Sequence, residues 1–246
     1  MRKSLILMVF STLIFGQSSD SLFSIGNRFY DAEQYTQAAN IYERLSQQVD
    51  HEDLYLNLGN SYFRMGEIGH AVWAYEKGYA LSPRDRDINY NLNFVRSQVR
   101  DRIQPPDDFF VVAFYRAILE KLTILDLLIM GGLFFAGLGG LFILRINGSI
   151  PEKMGGILNG ILLVSVLVTG WIMLDKYWDV SDKQEGIVIA SAVDVRSAPI
   201  ARGENVVFRI HEGTKVDITT MQPGWYEVIL LDGKKGWIPA EEVRTL

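Results

Sequence analysis

Side chains able to do covalent or metal chemistry are scarce in this sequence. The 246 residues include no cysteine and only three histidines, His51, His70 and His211. That excludes a thiolate zinc site, a cysteine nucleophile and a disulfide framework, and it leaves little for a catalytic base or a metal cluster. The sequence also lacks a nucleophile elbow and a phosphate-binding glycine loop. The expectation is therefore a protein that is not an enzyme and needs no cofactor and no metal. What the sequence does offer is recognition chemistry. Asn27 and Asn60 stand 33 residues apart, with Tyr30 after the first and Phe63 and Arg64 after the second. An asparagine amide both donates to and accepts from the backbone of an extended peptide, and an arginine pairs with a carboxylate. Trp225 and Trp237, each preceded by glycine, could stack on a ligand or serve as core and hairpin-locking residues. A net charge of −5, from 24 basic and 29 acidic residues, gives no field that would hold a polyanion, so nucleic acid is not an expected partner.

Those residues need a frame, and between Leu22 and Pro83 the sequence repeats itself. Gly26, Phe29, Ala38 and Tyr42 recur as Gly59, Tyr62, Ala71 and Tyr75, each pair 33 residues apart. Leu22 and Ile25 answer to Tyr55 and Leu58, and Pro83 closes the second unit. The pattern resembles the tetratricopeptide repeat, a helix-turn-helix unit in which small residues let helices pack closely and large ones fill the spaces between. The first unit departs from the family, with Asp50 where a proline usually stands and an inter-repeat turn one residue short. Ile88 to Val99 looks like the first helix of a third unit, Leu92 matching Ile25 and Leu58, with no second helix after it, and reads as a cap. Two repeats and a cap, residues 19–103, fall short of the roughly three units such arrays need, so another surface could complete the core. The resemblance implies a concave face lined by the first helix of each unit, carrying Asn27, Tyr30 and Asp31 and then Asn60, Phe63 and Arg64. The alternative is that Tyr30 and Phe63 are packing residues and the asparagines sit on a solvated face.

The apolar residues, 48% of the chain, gather in three blocks. Arg2 and Lys3 precede the run Leu5 to Phe15, and small residues follow at Gly16 and Ser18, which reads as a signal peptide over 1–18. Gln104-Pro105-Pro106-Asp107-Asp108 interrupts the helical array, and Phe109 to Leu122 mixes aromatics with Arg116, Glu120 and Lys121, the pattern of a membrane-interface helix within 104–123. Two uncharged runs of about one hydrocarbon thickness follow, predicting transmembrane helices over 124–144 and 154–174. The loop 145–153 is then cytoplasmic and both flanking domains lie outside. Gly132, Ala136 and Gly140, and likewise Gly156 and Gly160, form small-residue stripes that would let the two helices approach backbone to backbone.

Beyond a polar linker, 175–185, the period changes to that of short strands. Val216 and Ile218 alternate with polar residues, Tyr226, Val228 and Leu230 do the same, and Asp232-Gly233 predicts a hairpin turn before Gly236-Trp237-Ile238-Pro239. The small all-β barrel expected over 186–246 looks like a bacterial SH3 domain in its Val195-Arg196-Ser197-Ala198-Pro199, Glu212-Gly213, Gly224-Trp225 and Gly236-Trp237 strings, with Ala198 where glycine is usual. The fold expected is thus a multidomain membrane protein: an all-α tetratricopeptide array, a two-helix transmembrane hairpin and an SH3-like barrel.

This order of parts resembles the BatE-like proteins of the Bacteroides aerotolerance operon. The most specific strings are Asp101-Arg102-Ile103-Gln104-Pro105 leading into Phe109-Phe110, and Val195-Arg196-Ser197 with Trp237. The resemblance implies a scaffold in the bacterial inner membrane, repeats and barrel on the periplasmic side. It implies as partners membrane-anchored von Willebrand factor A proteins, other Bat-type proteins and a MoxR-type ATPase, in a complex connected with envelope stress or oxygen tolerance. A second reading is a peptidoglycan binder acting through the SH3-like domain.

Overall fold

The computed structural model describes residues 19–103, 109–182, 184–201 and 203–246. The signal segment at 1–18 and the proline-rich stretch at 104–108 lie outside the described residues. The chain opens with helices α1 (19–31), α2 (Tyr35–Ser46), α3 (Glu52–Met65), α4 (Ile68–Leu81) and α5 (Arg86–Gln98). Their ends follow from local chemistry. The Asp85 carboxylate accepts from the Asp87 and Ile88 N–H groups to start α5, and Gly66, at φ +81°, turns the chain out of α3 where a side chain would be strained. At Asp50, where the repeat family favours proline, the carboxylate accepts from the Tyr55 hydroxyl at 2.6 Å and ties the turn to α3.

The repeated residues pack as pairs. A methyl group on Gly26 would stand 2.5 Å from the Tyr42 ring, and one on Gly59 would stand 2.5 Å from the Tyr75 ring. Each hairpin is therefore closed by a tyrosine lying against bare backbone. Ala38 and Ala71 are fully buried beside them, and Leu58 and Leu92 occupy equivalent buried places on α3 and α5.

The strands are β1 (Gln184–Val188), β2 (Ala192–Arg196), β3 (Val206–His211), β4 (Lys215–Gln222), β5 (Trp225–Leu230), β6 (Lys235–Pro239) and β7 (Val243–Thr245). They form an antiparallel sheet in the order β3-β2-β6-β5-β4-β1-β7. Val193, Val195, Ile210, Val216, Val228, Leu230 and Ile238 fill its inner face, the alternation read in the sequence. Gly233, at φ +84°, makes the β5–β6 turn, with its N–H donating to the Leu230 carbonyl at 2.8 Å. Gly236 is needed for a different reason: its backbone lies against β2, and a Cβ would sit 2.6 Å from Val195 Cγ1 and 2.7 Å from the Arg196 carbonyl oxygen. Gly236→Val should destabilise the barrel by at least about 1–3 kcal/mol through overpacking, visible as a lowered melting temperature.

Contacts divide the chain into two units. One contains the repeats together with the seven strands; the other holds the helices between them. In the second unit, α6 (Phe110–Lys121) precedes α7 (Ile124–Ile146) and α8 (Glu152–Asp182). Ile124–Ile146 and Glu152–Trp178 are each long and apolar enough to cross a membrane, and little of either is buried within the protein. A capping box starts α7, the Asp126 carboxylate accepting from the Thr123 N–H and hydroxyl at 2.8 Å each. The small-residue stripes do not lie between the two helices. Among the described residues, a methyl group on Gly132, Gly140, Gly156 or Gly160 would meet nothing within 4 Å, whereas one on Gly137 would meet Leu162 and one on Gly131 would meet Thr169. A four-residue spacing identifies a stripe but not the direction it faces, and here the packed face of α7, with Leu127, Gly131 and Leu141, lies on the opposite side of the helix.

Candidate functional site

On the face built from α1, α3 and α5, the asparagines are structural before they are anything else. Asn27 Oδ1 accepts from the Tyr42 hydroxyl at 2.6 Å and from Asn57 Nδ2 at 3.1 Å. One repeat on, Asn60 Oδ1 accepts from the Tyr75 hydroxyl at 2.7 Å and from Asn91 Nδ2 at 3.0 Å. Burial pushes both tyrosine hydroxyls above their ordinary pKa, so they remain donors. The network strings the three helices together through the Asn27 and Asn60 carbonyl oxygens and leaves their amide nitrogens outside these bonds. Truncating either asparagine to alanine also strips a buried tyrosine hydroxyl of its acceptor, a stability cost of about 1–3 kcal/mol.

The other residues singled out by spacing flank that network. Tyr30 packs edge-on against Tyr35 with ring centroids 5.3 Å apart. Arg64 donates to the Tyr35 hydroxyl from Nε at 3.1 Å and from Nη2 at 2.8 Å. Phe63 meets Phe94 edge-on at 5.7 Å, and Phe94 lies parallel to Tyr90 at 6.4 Å. Tyr90 is 70% exposed and Phe94 48%, so α5 adds an open aromatic surface beside Phe63. Sequence reading missed Tyr35, Asn57, Asn91, Tyr90 and Phe94. The Asn89-Tyr90-Asn91 string on the capping helix was the available signal, since it repeats the asparagine and aromatic chemistry of α1 and α3.

The opposite side of the array is seated on the barrel. Arg244 of β7 reaches α2, its Nη1 and Nη2 donating to the two Glu43 carboxylate oxygens at 2.7 Å each. Its guanidinium also lies 3.3 Å from the centroid of the Trp73 ring, and the Trp73 indole N–H donates to the Thr245 carbonyl at 2.8 Å. The Gly69 N–H on α4 donates to Glu212 Oε2 at 3.0 Å. Asp101, just past α5, accepts from the His211 backbone N–H at 2.6 Å and the Thr214 hydroxyl at 2.9 Å, with His211 Nδ1 2.9 Å from its other oxygen. Glu76 pairs with Arg96 and lies 3.8 Å from Lys215, which also meets Glu185 at 2.6 Å. Ile187 of β1 is fully buried in the same core as Leu92, Val95 and Val99. The surface that completes the short array is the barrel.

This seat carries a pH dependence with a definite sign. Burial alone would raise the Glu43 carboxyl, but hydrogen bonds from Arg244 and Tyr62 outweigh it and hold the pKa below the usual value. Asp101 is likewise raised by burial and more than offset by His211 and Thr214. Burial depresses His70, whose ring lies 4.9 Å from that of Tyr62. The unfolded chain therefore binds more protons than the native one at acid pH. Stability should begin to fall below about pH 6.5 as His70 is forced to charge, and fall further below about pH 4 as the two carboxylates are protonated through their lowered native pKa values. Melting temperatures between pH 8 and 3 should follow that order, and Asp101→Asn should flatten the acid end.

The barrel's tryptophans sit apart from its core. In the β5–β6 register Trp225 pairs with Pro239 and Glu227 with Trp237, while Val228, Leu230 and Ile238 point to the inner face. Strand alternation then puts Trp225, Glu227 and Trp237 together on the outer face, both rings half-buried. They are not core residues.

Residues 191–244 match the bacterial SH3 domain. The SH3 domain thus runs from the start of β2 into β7, and β1 joins its sheet from just before the matched segment. Ala198, at the place of the usual glycine, sits in a loop held by Asn205, whose Nδ2 donates to the Ile200 carbonyl at 2.8 Å. Among solved structures, the chain is similar to PcrH from Pseudomonas aeruginosa at 13% identity and a TM-score of 0.33, covering 63% of this chain and 92% of that one. It is similar to yeast Tom70 at 14% identity and a TM-score of 0.33, covering 69% and 27%. It is similar to NlpC2 from Trichomonas vaginalis at 12% identity and a TM-score of 0.24, covering 26% and 25%. The chain therefore spans about a quarter of the length of NlpC2 and of Tom70. No curated protein matches it. Among the described residues, no group of three His, Cys, Asp or Glu side chains is placed to hold a metal ion.

Proposed function

We propose that the chain is a non-catalytic, two-pass scaffold of the bacterial inner membrane, capturing a partner protein on the α1, α3 and α5 face. The observation that carries this reading is the pair of linked asparagine couples, Asn27 with Asn57 and Asn60 with Asn91, flanked by Phe63 and the exposed rings of Tyr90 and Phe94. By resemblance to BatE-like proteins, its partners are membrane-anchored von Willebrand factor A proteins and other Bat-type proteins, in an envelope stress or aerotolerance complex linked to a MoxR-type ATPase. The topology has physical support. Repeats and SH3 domain fall in one compact unit, tied by the Arg244–Glu43, Trp73–Thr245 and Asp101–His211 contacts, so both lie on the same side of the bilayer, and that requires an even number of crossings between them. The signal peptide read from the sequence of residues 1–18 supports the periplasm as that side.

The test is co-purification from intact membranes with the double variant Tyr90→Ala, Phe94→Ala. Both rings are exposed, so folding should be little affected. Loss of two aromatic anchors should weaken capture by about 2 kcal/mol, or roughly thirtyfold. Undiminished capture by the folded variant would remove this face as the binding site. The placement of Trp225 and Trp237 on the outer face of the SH3 domain favours a second reading, peptidoglycan binding. Pull-down by purified sacculi that is lost on Trp225→Ala would support it.

A further inference from the structure

The helix α6 has an apolar face that stands exposed among the described residues. Phe110, Phe114 and Ile118 recur every fourth residue along one side and are 72%, 68% and 39% exposed, while Arg116 lies across the helix from Phe114. With 12 residues, α6 is about 18 Å long and too short to cross a bilayer.

Its depth is nevertheless fixed. The Tyr115 hydroxyl donates to Asp175 Oδ2 at 2.7 Å, and Lys176 Nζ donates to the Leu119 carbonyl at 2.8 Å. Both contacts fall on α8 at the C-terminal end of its apolar stretch, which closes at Trp178. On the other side, one residue, Leu122, separates α6 from the capping box that opens α7. The helix is thereby clamped at the level where one candidate span begins and the other ends. Trp171, Tyr177 and Trp178 are exposed at the same end of α8, the aromatic signature of a membrane-water boundary.

We infer that α6 is a lipid-binding wedge: it lies in the plane of the outer interface, Phe110, Phe114 and Ile118 sunk among the upper acyl chains and Arg116 turned toward the headgroups. An apolar helical face in that position is buried by roughly 5–10 Å. The α8 clamp makes this contact part of the hairpin, so α6 does not dock and release independently. The inference rests on the reading of α7 and α8 as membrane spans.

The natural lack of cysteine allows the test in the full chain. Three single variants, Phe114→Cys, Arg116→Cys and Leu133→Cys, are labelled with an environment-sensitive fluorophore. The protein is reconstituted into phosphatidylcholine vesicles carrying nitroxide either high or low on the acyl chain. The label at 114 should be quenched more strongly by the high nitroxide than by the low one, the label at 116 chiefly by an aqueous quencher, and the label at 133 by the low nitroxide. Quenching at 133 with none at 114 would overturn the wedge while leaving the spans intact. A label at 114 shielded from lipid and water alike would overturn it in favour of cover by a second protein surface. Failure of lipid quenching at 133 would remove the spans themselves and the wedge with them.

Discussion

Replacing Arg244 with alanine should cost about 3 kcal/mol, although this residue belongs to the last strand of the chain and touches no candidate binding site. The guanidinium makes two parallel hydrogen bonds to Glu43, stacks on Trp73 and lies 3.5 Å from the Tyr62 hydroxyl. About a quarter of each charged side chain is exposed, so removing Arg244 strands a mostly desolvated carboxylate against two rings. Glu43→Gln keeps the packing and most of the hydrogen bonding and should cost clearly less. The comparison separates loss of the pair from loss of shape, and thermal denaturation of both variants measures it.

The second large effect is expected at Gly59. A valine there would place its Cβ 2.5 Å from Tyr75 Cε1. The ring cannot retreat, because it is 2% exposed and its hydroxyl is held by Asn60. The α3 and α4 helices must separate instead, losing contacts along their length. A destabilisation at or above the upper end of the usual 1–3 kcal/mol range for overpacked cores is expected. Gly66→Ala, at a C-cap with nothing within 4 Å but a φ of +81°, should cost about 1 kcal/mol from backbone strain alone. Equal losses at the two positions would show that the Gly59 contact is softer than its geometry indicates.

Spacing made the interior of each repeat legible: Gly26 with Tyr42 and Gly59 with Tyr75 are local pairs, and a residue-by-residue match 33 positions apart exposes them. Strand alternation and the Asp232-Gly233 turn gave the barrel in the same way, because both are properties of adjacent residues. The seat between repeats and barrel had no such trace. Glu43 and Arg244 are 201 residues apart, and neither stands in a local pattern that demands the other. The glycines at 132, 140, 156 and 160 mark the opposite limit, where periodicity was visible but the face it served was not. At the candidate site, Asn27 and Asn60 were found from their spacing. Their bonds to Tyr42 and Tyr75 depend on how the two helices of a unit pack, which spacing alone does not supply.

That the array and the SH3 domain form one cooperative unit, with helices α6 to α8 inserted between its two halves, is the claim on which the proposed topology depends. Amide hydrogen exchange on the full-length protein in detergent, wild type against Arg244→Ala, tests it most directly. Shared stability means that protection falls together in α4, β1 and β7, in segments far apart along the chain. Protection lost only around Arg244 in β7, with Ile68–Leu81 exchanging as in wild type, would contradict it.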